Sequence, residues 1–472
     1  MDRWSTVRQS DRERRAAVGR AAAAELAERG GVSAVALTWV DNSGLTRVKG
    51  VPLARLDRVS AWGVGMSPCF DAFLVDDSSV PAQHAGGVVG DLRLLPDLDR
   101  LTPLAALPGW AWAPVDRYNH DGTPHKYDAR SLLRREVERL AADGCAALMA
   151  FEVEWCVSEG SGDDFVPACS GPAYGMARLQ EQSDYLKDLL DALAAQGVEV
   201  DQIHPEYAAG QYEVSVAAED PVGAADTLVL VRETIRAVSA RHGLRATFAP
   251  KVLADGVGNG CHVHLSLWRA EAGHTRPDRN AMSGGDGRHG LTPEGESFIA
   301  GILDHLPGLL ALGAPAVASY LRLIPSSWAG AFACWGLENR EAALRFVTGS
   351  RGDEAKAANL EVKCLDGAAN PYLLAAGLLA AGRAGLAAKA TLPEPVESDP
   401  AALPPEQAAA RGIRALPSSL SDSVAAFRGD EMFAEAFGAE FVDTIATVRR
   451  GEIRLFADAS AQQIVARTRW KY

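Results

Sequence analysis

Gly258-Asn259-Gly260-Cys261-His262-Val263-His264-Leu265-Ser266 alternates apolar and polar residues from Cys261 onward. A strand turns successive side chains to opposite faces, so His262, His264 and Ser266 share one face and Cys261, Val263 and Leu265 the other. This is the pattern of a strand with one side against a core. Three more segments repeat it. Glu152-Val153-Glu154 lies inside the apolar run 148–157 and sends both carboxylates to one side. Glu206 and Glu213 flank Ala208-Ala209-Gly210-Gln211, a tight connection between two strands. Leu360-Glu361-Val362-Lys363 alternates again.

Taken singly, each of these faces reads as ordinary solvent-facing sheet. Together they place five carboxylates (Glu152, Glu154, Glu206, Glu213 and Glu361) and the His262 imidazole on successive strands. Paired carboxylates repel and raise each other's pKa unless a cation lies between them. An oxygen-rich set with one neutral imidazole suits magnesium or manganese, whereas zinc would call for more nitrogen or sulfur. Two divalent ions would nearly neutralise five carboxylates, and one would leave the site strongly negative.

The surroundings of these strands set the fold class. Residues 11–29 predict a helix stopped by Gly30-Gly31, then two strands around Asp41-Asn42-Ser43-Gly44 and a Gly- and Pro-punctuated small sheet to about residue 115. The turn-dense Asn119-His120-Asp121-Gly122-Thr123-Pro124 marks a boundary, giving an N-terminal domain over 1–117 and a second over 118–472. Beyond it, Asp128 caps a helix over 129–142. Further helices are expected near 181–195, 222–241, 296–311 and 372–388, with strands near 198–204, 211–217, 245–251, 261–267 and 360–364. Residues 392–418 read as a Pro- and Ala-rich excursion. The whole is α+β.

Bulk properties exclude several classes. At 472 residues, 47% hydrophobic and 23% charged, the chain can bury a large core without staples. A formal charge of −14 disfavours nucleic acid as a partner. The most apolar run, Leu373 to Ala388, is interrupted by Arg383, so no membrane span is expected. The opening MDRWSTVRQSDRERR is too charged for a signal peptide. The seven cysteines form no CxxC pair, and a reducing cytoplasm fits them.

At these residues the chain resembles the glutamine synthetase family, over nearly its whole length. The resemblance is carried by Asp116-(x)4-Asp121-Gly122-x-Pro124, Phe151-Glu152-x-Glu154, His204-Pro205-Glu206-Tyr207-(x)2-Gly210-Gln211-x-Glu213, Ala249-Pro250-Lys251 and the Gly258–Ser266 segment. It continues through Ser319-Tyr320-Leu321-Arg322-Leu323-Ile324-Pro325, Trp335-Gly336-(x)2-Asn339-Arg340-(x)4-Arg345 and Ala369-Asn370-Pro371-Tyr372. It implies an N-terminal β-grasp domain, a catalytic domain with a curved antiparallel sheet, and a ring-shaped homo-oligomer with active sites between subunits. It also implies an ATP-dependent carboxylate–amine ligase using two magnesium or manganese ions per site. One ion would be held by Glu154, Glu206 and Glu213, the other by Glu152, His262 and Glu361. Arg340 and Arg345 match phosphate-contacting arginines, Arg340 in a catalytic role and Arg345 on the nucleotide side. His264 and Ser266 match residues along the nucleotide, and Gly258 and Arg322 residues at the acid substrate.

The chain also departs from that pattern. Val257 stands where an Asn is usual, Lys363 where an Arg grips the substrate α-carboxylate, and Asn359 where a nucleotide-side Arg is expected. Lysine keeps the charge and loses the bidentate fork. In 324–330, Trp328 occupies the place of the Glu that closes the ammonium site, and Asp71 is the acid standing where an Asp-Gly-Ser-Ser motif is expected. A Trp either offers a wall or cation–π face to a larger amine or packs beneath the loop. Ala401 replaces the tyrosine modified in bacterial members, which argues against adenylylation. The expected activity is formation of a γ-glutamyl amide from glutamate and an organic amine. The alternatives are glutamine synthesis from ammonium and a non-catalytic structural homologue.

Overall fold

The computed structural model describes residues 9–270 and 278–472; the first part of the charged opening, residues 1–8, lies outside the described residues. Helix Gln9–Arg29 precedes strand Ala34–Val40, which turns back through Asp41–Leu45 into Thr46–Pro52. The Asp41 carboxylate makes that turn by accepting from the Ser43 and Leu45 amides, each at 3.0 Å. The sheet runs Thr46–Pro52, Ala34–Val40, Trp110–Tyr118, Leu92–Pro96, Val64–Met66, and its two central strands are parallel. Its inward residues, among them Leu37, Leu94 and Val115, form a core of their own. A sheet with a parallel central pair and a packed helix is the expected β-grasp arrangement.

Asp128 caps helix Ala129–Ala142 by accepting from the Ser131 amide at 3.0 Å. The chain then enters the long strand Cys145–Glu159, which lies inside the second sheet. The order there is Arg414–Ala415, Phe332–Leu337, Ala342–Val347, Asn359–Val362, Cys261–Arg269, Cys145–Glu159, Gln211–Val216, Val200–Pro205. Every pairing along it is antiparallel except Phe332–Leu337 with Ala342–Val347. The alternation divides its faces. Phe151, Val153, Trp155, Val263, Leu265, Leu360 and Val362 are buried on the helix side, leaving the acids and imidazoles on the concave side.

Helix Pro371–Ala388 backs this core. By length and composition it is apolar enough to cross a membrane. Instead it packs against Pro293–Gly313 and Ala129–Ala142. Its approach to Pro293–Gly313 is backbone-close: a Cβ on Gly385 would fall 2.1 Å from the Ser297 carbonyl oxygen. The 392–418 excursion has its own small core, with Val396, Leu403 and Ile413 against Cys334 and Ala342. Strands Phe332–Leu337 and Ala342–Val347, with the helices from Leu420 to Thr468, complete the second sheet and its backing.

The two sheets meet at a polar seam. Asn370 donates to the Val40 and Asp41 carbonyls, both at 3.1 Å. Glu452 accepts from the Val75 amide at 2.7 Å and faces the Ser43 hydroxyl at 3.3 Å. Burial pushes the Glu452 carboxyl up to about 7, against the lowering influence of the Val75 amide, Arg449 and Ser43. A carboxyl raised in the fold favours the folded state below its unfolded value of 4.5, and that contribution is lost as pH rises through about 7. Glu452→Gln keeps an acceptor for Val75 without the charge. Melting temperature followed across pH should therefore fall less steeply between pH 4.5 and 7 in E452Q, with a gain on the order of 3 kcal/mol above pH 8. An unchanged slope would show that Glu452 does not titrate there.

Candidate active site

Strand register sets the spacing of the site. Glu152 stands opposite His262, Glu154 opposite Glu213, Glu213 opposite His204, and Glu361 opposite both His264 and Arg345. Directly opposed residues share a face and lie within side-chain reach. Three cross-sheet rows result: His204–Glu213–Glu154, Glu152–His262, and Arg345–Glu361–His264.

His262 Nδ1 pairs with Glu152 Oε1 at 2.8 Å and lies 3.5 Å from Glu361 Oε1. Arg322 Nη2 donates to His262 Nε2 at 3.3 Å, which leaves the ring proton on Nδ1, toward Glu152. His264 Nε2 lies 3.5 Å from Glu152 Oε2, and its Nδ1 is held by Asn359 at 2.9 Å. Glu152, His264 and Glu361 offer three ligand atoms within 4.8 Å of one another. So the expected set of Glu152, His262 and Glu361 comes together, and His264, expected along the nucleotide, stands in it too.

The other expected set divides. Glu206 and Glu213 gather with His204, again within 4.8 Å. Glu154 accepts from Gln211 Nε2 at 3.0 Å and lies 3.8 Å from His262 Nε2. The Glu206 loop is braced by Arg178, which donates to the carbonyls of Glu206 and Ala208, both at 2.7 Å. The sequence pattern alone assigns no role to His204, Gln211 or Arg178. His204 does carry a signal, since His204-x-Glu206 has the same two-residue spacing as Glu152-x-Glu154. Arg178 lies far from the motif and carries none.

Electrostatics differ between the two halves. Burial opposes charge on Glu152, but hydrogen bonds from His262 and His264 outweigh it and hold the carboxyl well below the usual range. Burial likewise opposes charge on Glu361, but Lys363, His262 and His264 hold it down to about 2. Glu213 goes the other way: burial pushes it up, and repulsion from Glu152, Glu154 and Glu206 adds to this against the His204 hydrogen bond. His204 is raised by that same bond, so the proton near neutrality belongs to the pair. Glu206 is raised by burial and by Glu154.

The remaining expected residues are less uniform in their placement. Arg345 Nη1 donates to Glu361 Oε2 at 2.7 Å and the side chain also pairs with Glu338. Lys363 is buried with its ammonium 3.0 Å from Glu361 Oε1, so it is engaged by that acid. Ser266 is buried, its hydroxyl accepting from Trp268 Nε1 at 2.8 Å. The carbonyl of Gly258 accepts from Gln211 at 3.1 Å. Arg340 is exposed in the turn between two strands. Trp328 is 58% exposed with φ of 56°, and its amide donates to Glu341 at 2.9 Å. It does not pack beneath its loop. Asp71 is buried, ion-paired with Arg117 and 3.1 Å from His125 Nε2, and so is committed to a structural cluster.

Three features fit this face to cations and anionic substrates. The donors are carboxylates and imidazoles, suited to hard or borderline divalent ions. Arg322 Nη1 and Arg345 Nε are buried without a hydrogen-bond partner among the described residues, as befits donors shaped for a carboxylate or phosphate. Gly260 leaves a hollow where a Cβ would come within 2.7 Å of Glu154 Oε1 and His262 Nε2 and 2.9 Å of Arg322 Nη2.

A curved sheet bearing this face above a β-grasp sheet defines a ligase of the glutamine synthetase family, and the chain belongs to that family. The family model for the glutamine synthetase catalytic domain matches residues 126–467. Among relatives, a γ-glutamylpolyamine synthetase of Streptomyces coelicolor is 58% identical over 94% of this chain and 94% of its own length. A glutamate–methylamine ligase of Methyloversatilis universalis is 28% identical over 85% of this chain and 88% of its own. A glutamine synthetase of Methanocaldococcus jannaschii is 32% identical over 80% and 82%. Among solved structures, a glutamine synthase homologue superposes with a TM-score of 0.82 at 34% identity, covering 94% of this chain and 99% of the other. GmaS in complex with ADP does so with 0.80 at 28%, covering 93% and 96%.

Gly260→Ala tests the geometry at one atom. The added methyl displaces Glu154, His262 and Arg322 together, so steady-state ADP release should fall by roughly 100-fold or more while melting changes little. Near-normal turnover in a folded G260A protein would show that the close approach of these three groups does not matter.

Proposed function

We propose that this chain joins glutamate to an organic amine through its γ-carboxyl, using ATP and passing through an acyl phosphate. The observation that supports the chemistry is the single concave face on which five glutamates meet three histidines, with Arg322 and Arg345 at its border. Members of the family use ATP and divalent metals. We assign two magnesium or manganese ions per site, one to Glu152, Glu361 and a histidine of the Cys261–Arg269 strand, the other to Glu154, Glu206 and Glu213. When bound, such ions neutralise charge on the nucleotide phosphates and on the phosphoryl group in transit.

The protein's own groups do the positioning. Arg345 and the exposed Arg340 meet phosphate oxygens, and Arg322 directs its unpartnered Nη1 to the acid substrate. A carboxylate is a poor acylating agent, so phosphorylation of its oxygen makes phosphate the leaving group when the amine nitrogen attacks the carbonyl carbon. The amine attacks that carbon as a free base, the proton of its ammonium form having passed to solvent water.

The amine is organic in this reading, with a polyamine first. A relative named for polyamines is 58% identical to this chain over 445 aligned residues. Trp328 stands out to solvent in the loop where the resemblance places an ammonium-binding glutamate, and Glu341 and Asp399 tether that loop at Trp328 N and Ser326 Oγ. Two acids around an exposed indole suit an extended cation better than ammonium. We further propose a ring-shaped cytoplasmic homo-oligomer with sites between subunits.

Competing amines at equal concentration, assayed with glutamate and ATP, test this reading. Putrescine, spermidine and ethylamine should each exceed ammonium in kcat/KM, and Trp328→Glu should shift the ratio toward ammonium. Preference for ammonium in the unaltered chain would favour glutamine synthesis. Silence with every amine in a well-assembled oligomer would favour a structural homologue.

A further inference from the structure

Behind the catalytic sheet the molecule carries a second charged feature, of opposite sign. A cleft of about 270 Å³ opens between the Asp41–Leu45 turn and helix Pro221–Arg241, and Arg47, Arg232, Arg236 and Lys471 line it. Its lining acid is Glu233, which is paired with Arg236 at 2.7 Å. Arg236 is matched by Glu233 and Arg47 by Asp41 and Asp77, which leaves Arg232 and Lys471 as the lining cations with no ion pair among the described residues.

Arg232 is the residue that needs explaining. It is 5% exposed, and its Nε has no hydrogen-bond partner among the described residues. Among the described residues its Nη2 meets nothing better than the Cys261 sulfur at 3.9 Å, and its guanidinium lies 5.5 Å from the Phe248 ring centre. Arg47 lines the same cleft and keeps its own Nη2 buried without a partner among the described residues, although its other nitrogens pair with Asp41 and Asp77 at 2.7 Å. The Tyr472 carbonyl at the cleft wall accepts from the Phe248 amide at 3.2 Å and the Thr247 hydroxyl at 3.4 Å. Burying a guanidinium without an anion is costly, and burial here pushes Arg232 below its ordinary value, with Arg236 adding repulsion. A protein gains nothing from such a group as packing, because an apolar side chain of the same length would fill the space better.

We propose that this cleft is an anion-binding site, distinct from the catalytic face, for a compact oxyanion carrying two negative charges, a phosphate or a short dicarboxylate. Arg232 is the buried anchor, and Arg47, Arg236 and Lys471 close around the anion from the rim. Guanidinium forks match the paired oxygens of both ligand types. Cys261 alternates with His262, so Arg232 reaches the far side of the strand that carries the catalytic imidazoles. An anion bound here joins the Arg47 strand of the first sheet to the helix behind the second, and so tightens the seam between them.

The test is hydrogen exchange on the full chain, without nucleotide or divalent metal, at fixed ionic strength with chloride as reference. Inorganic phosphate and succinate are titrated separately. One or both should protect segments 44–47 and 230–236, and the effective arm identifies the ligand type. Arg236→Ala, a change at the rim, should raise the anion concentration for half protection about tenfold. Arg232→Met should abolish protection, yet in chloride it should melt no lower than the unaltered chain, because an unpaired buried charge has been removed. Absence of protection by either anion, or protection undiminished in both variants, would overturn the assignment.

Discussion

Like charges confined to one concave sheet face are the constraint on which everything else in this molecule depends. Strand register brings Glu152, Glu154, Glu213 and Glu361 into adjacent rows with His204, His262 and His264. Part of the repulsion is relieved from within, by imidazoles against Glu152 and by Lys363 and Arg345 against Glu361. At the Glu206–Glu213 end, His204 and the hydrogen bonds from Tyr207 and Tyr174 do not outweigh burial and mutual repulsion, and the carboxyls are pushed up instead. A site built this way is poised for cations at one end and already partly neutralised at the other. The apolar reverse of the same strands holds the charged groups in place, because none can withdraw without exposing Phe151, Val263 or Leu360.

Most of the scaffold can be read directly from alternation. The period of two around Cys261–Leu265, 148–157 and 360–363 predicts the strands, and Asp128 marks the start of its helix to the residue. Phe332–Leu337 and Ala342–Val347 are less legible, because both are mostly buried and Arg345 is the single charged residue between them, too little to show an alternation. The apolar helix Pro371–Ala388 owes its depth to tertiary packing rather than to any amphipathic stripe.

Site legibility follows the same logic. Residues set two apart on a strand announce a common face, and those are the ones the sequence brings forward. Which imidazole approaches which carboxylate depends on register between strands distant in sequence, as His264 opposite Glu361 and His204 opposite Glu213 show. Long-range braces such as Arg178 beneath the Glu206 loop leave no local trace at all. Asp71 shows the converse error that sequence position invites: an acid in the right neighbourhood whose charge is already taken by Arg117 and His125.

If the concave face exists to hold paired divalent ions, manganese should load it in pairs. Titration of the metal-free chain with manganese, followed by electron paramagnetic resonance without nucleotide, should show saturable uptake of two ions per chain, close enough to broaden each other's signal. Uptake of no ion, or of ions that remain magnetically isolated, would rule out a paired-ion site.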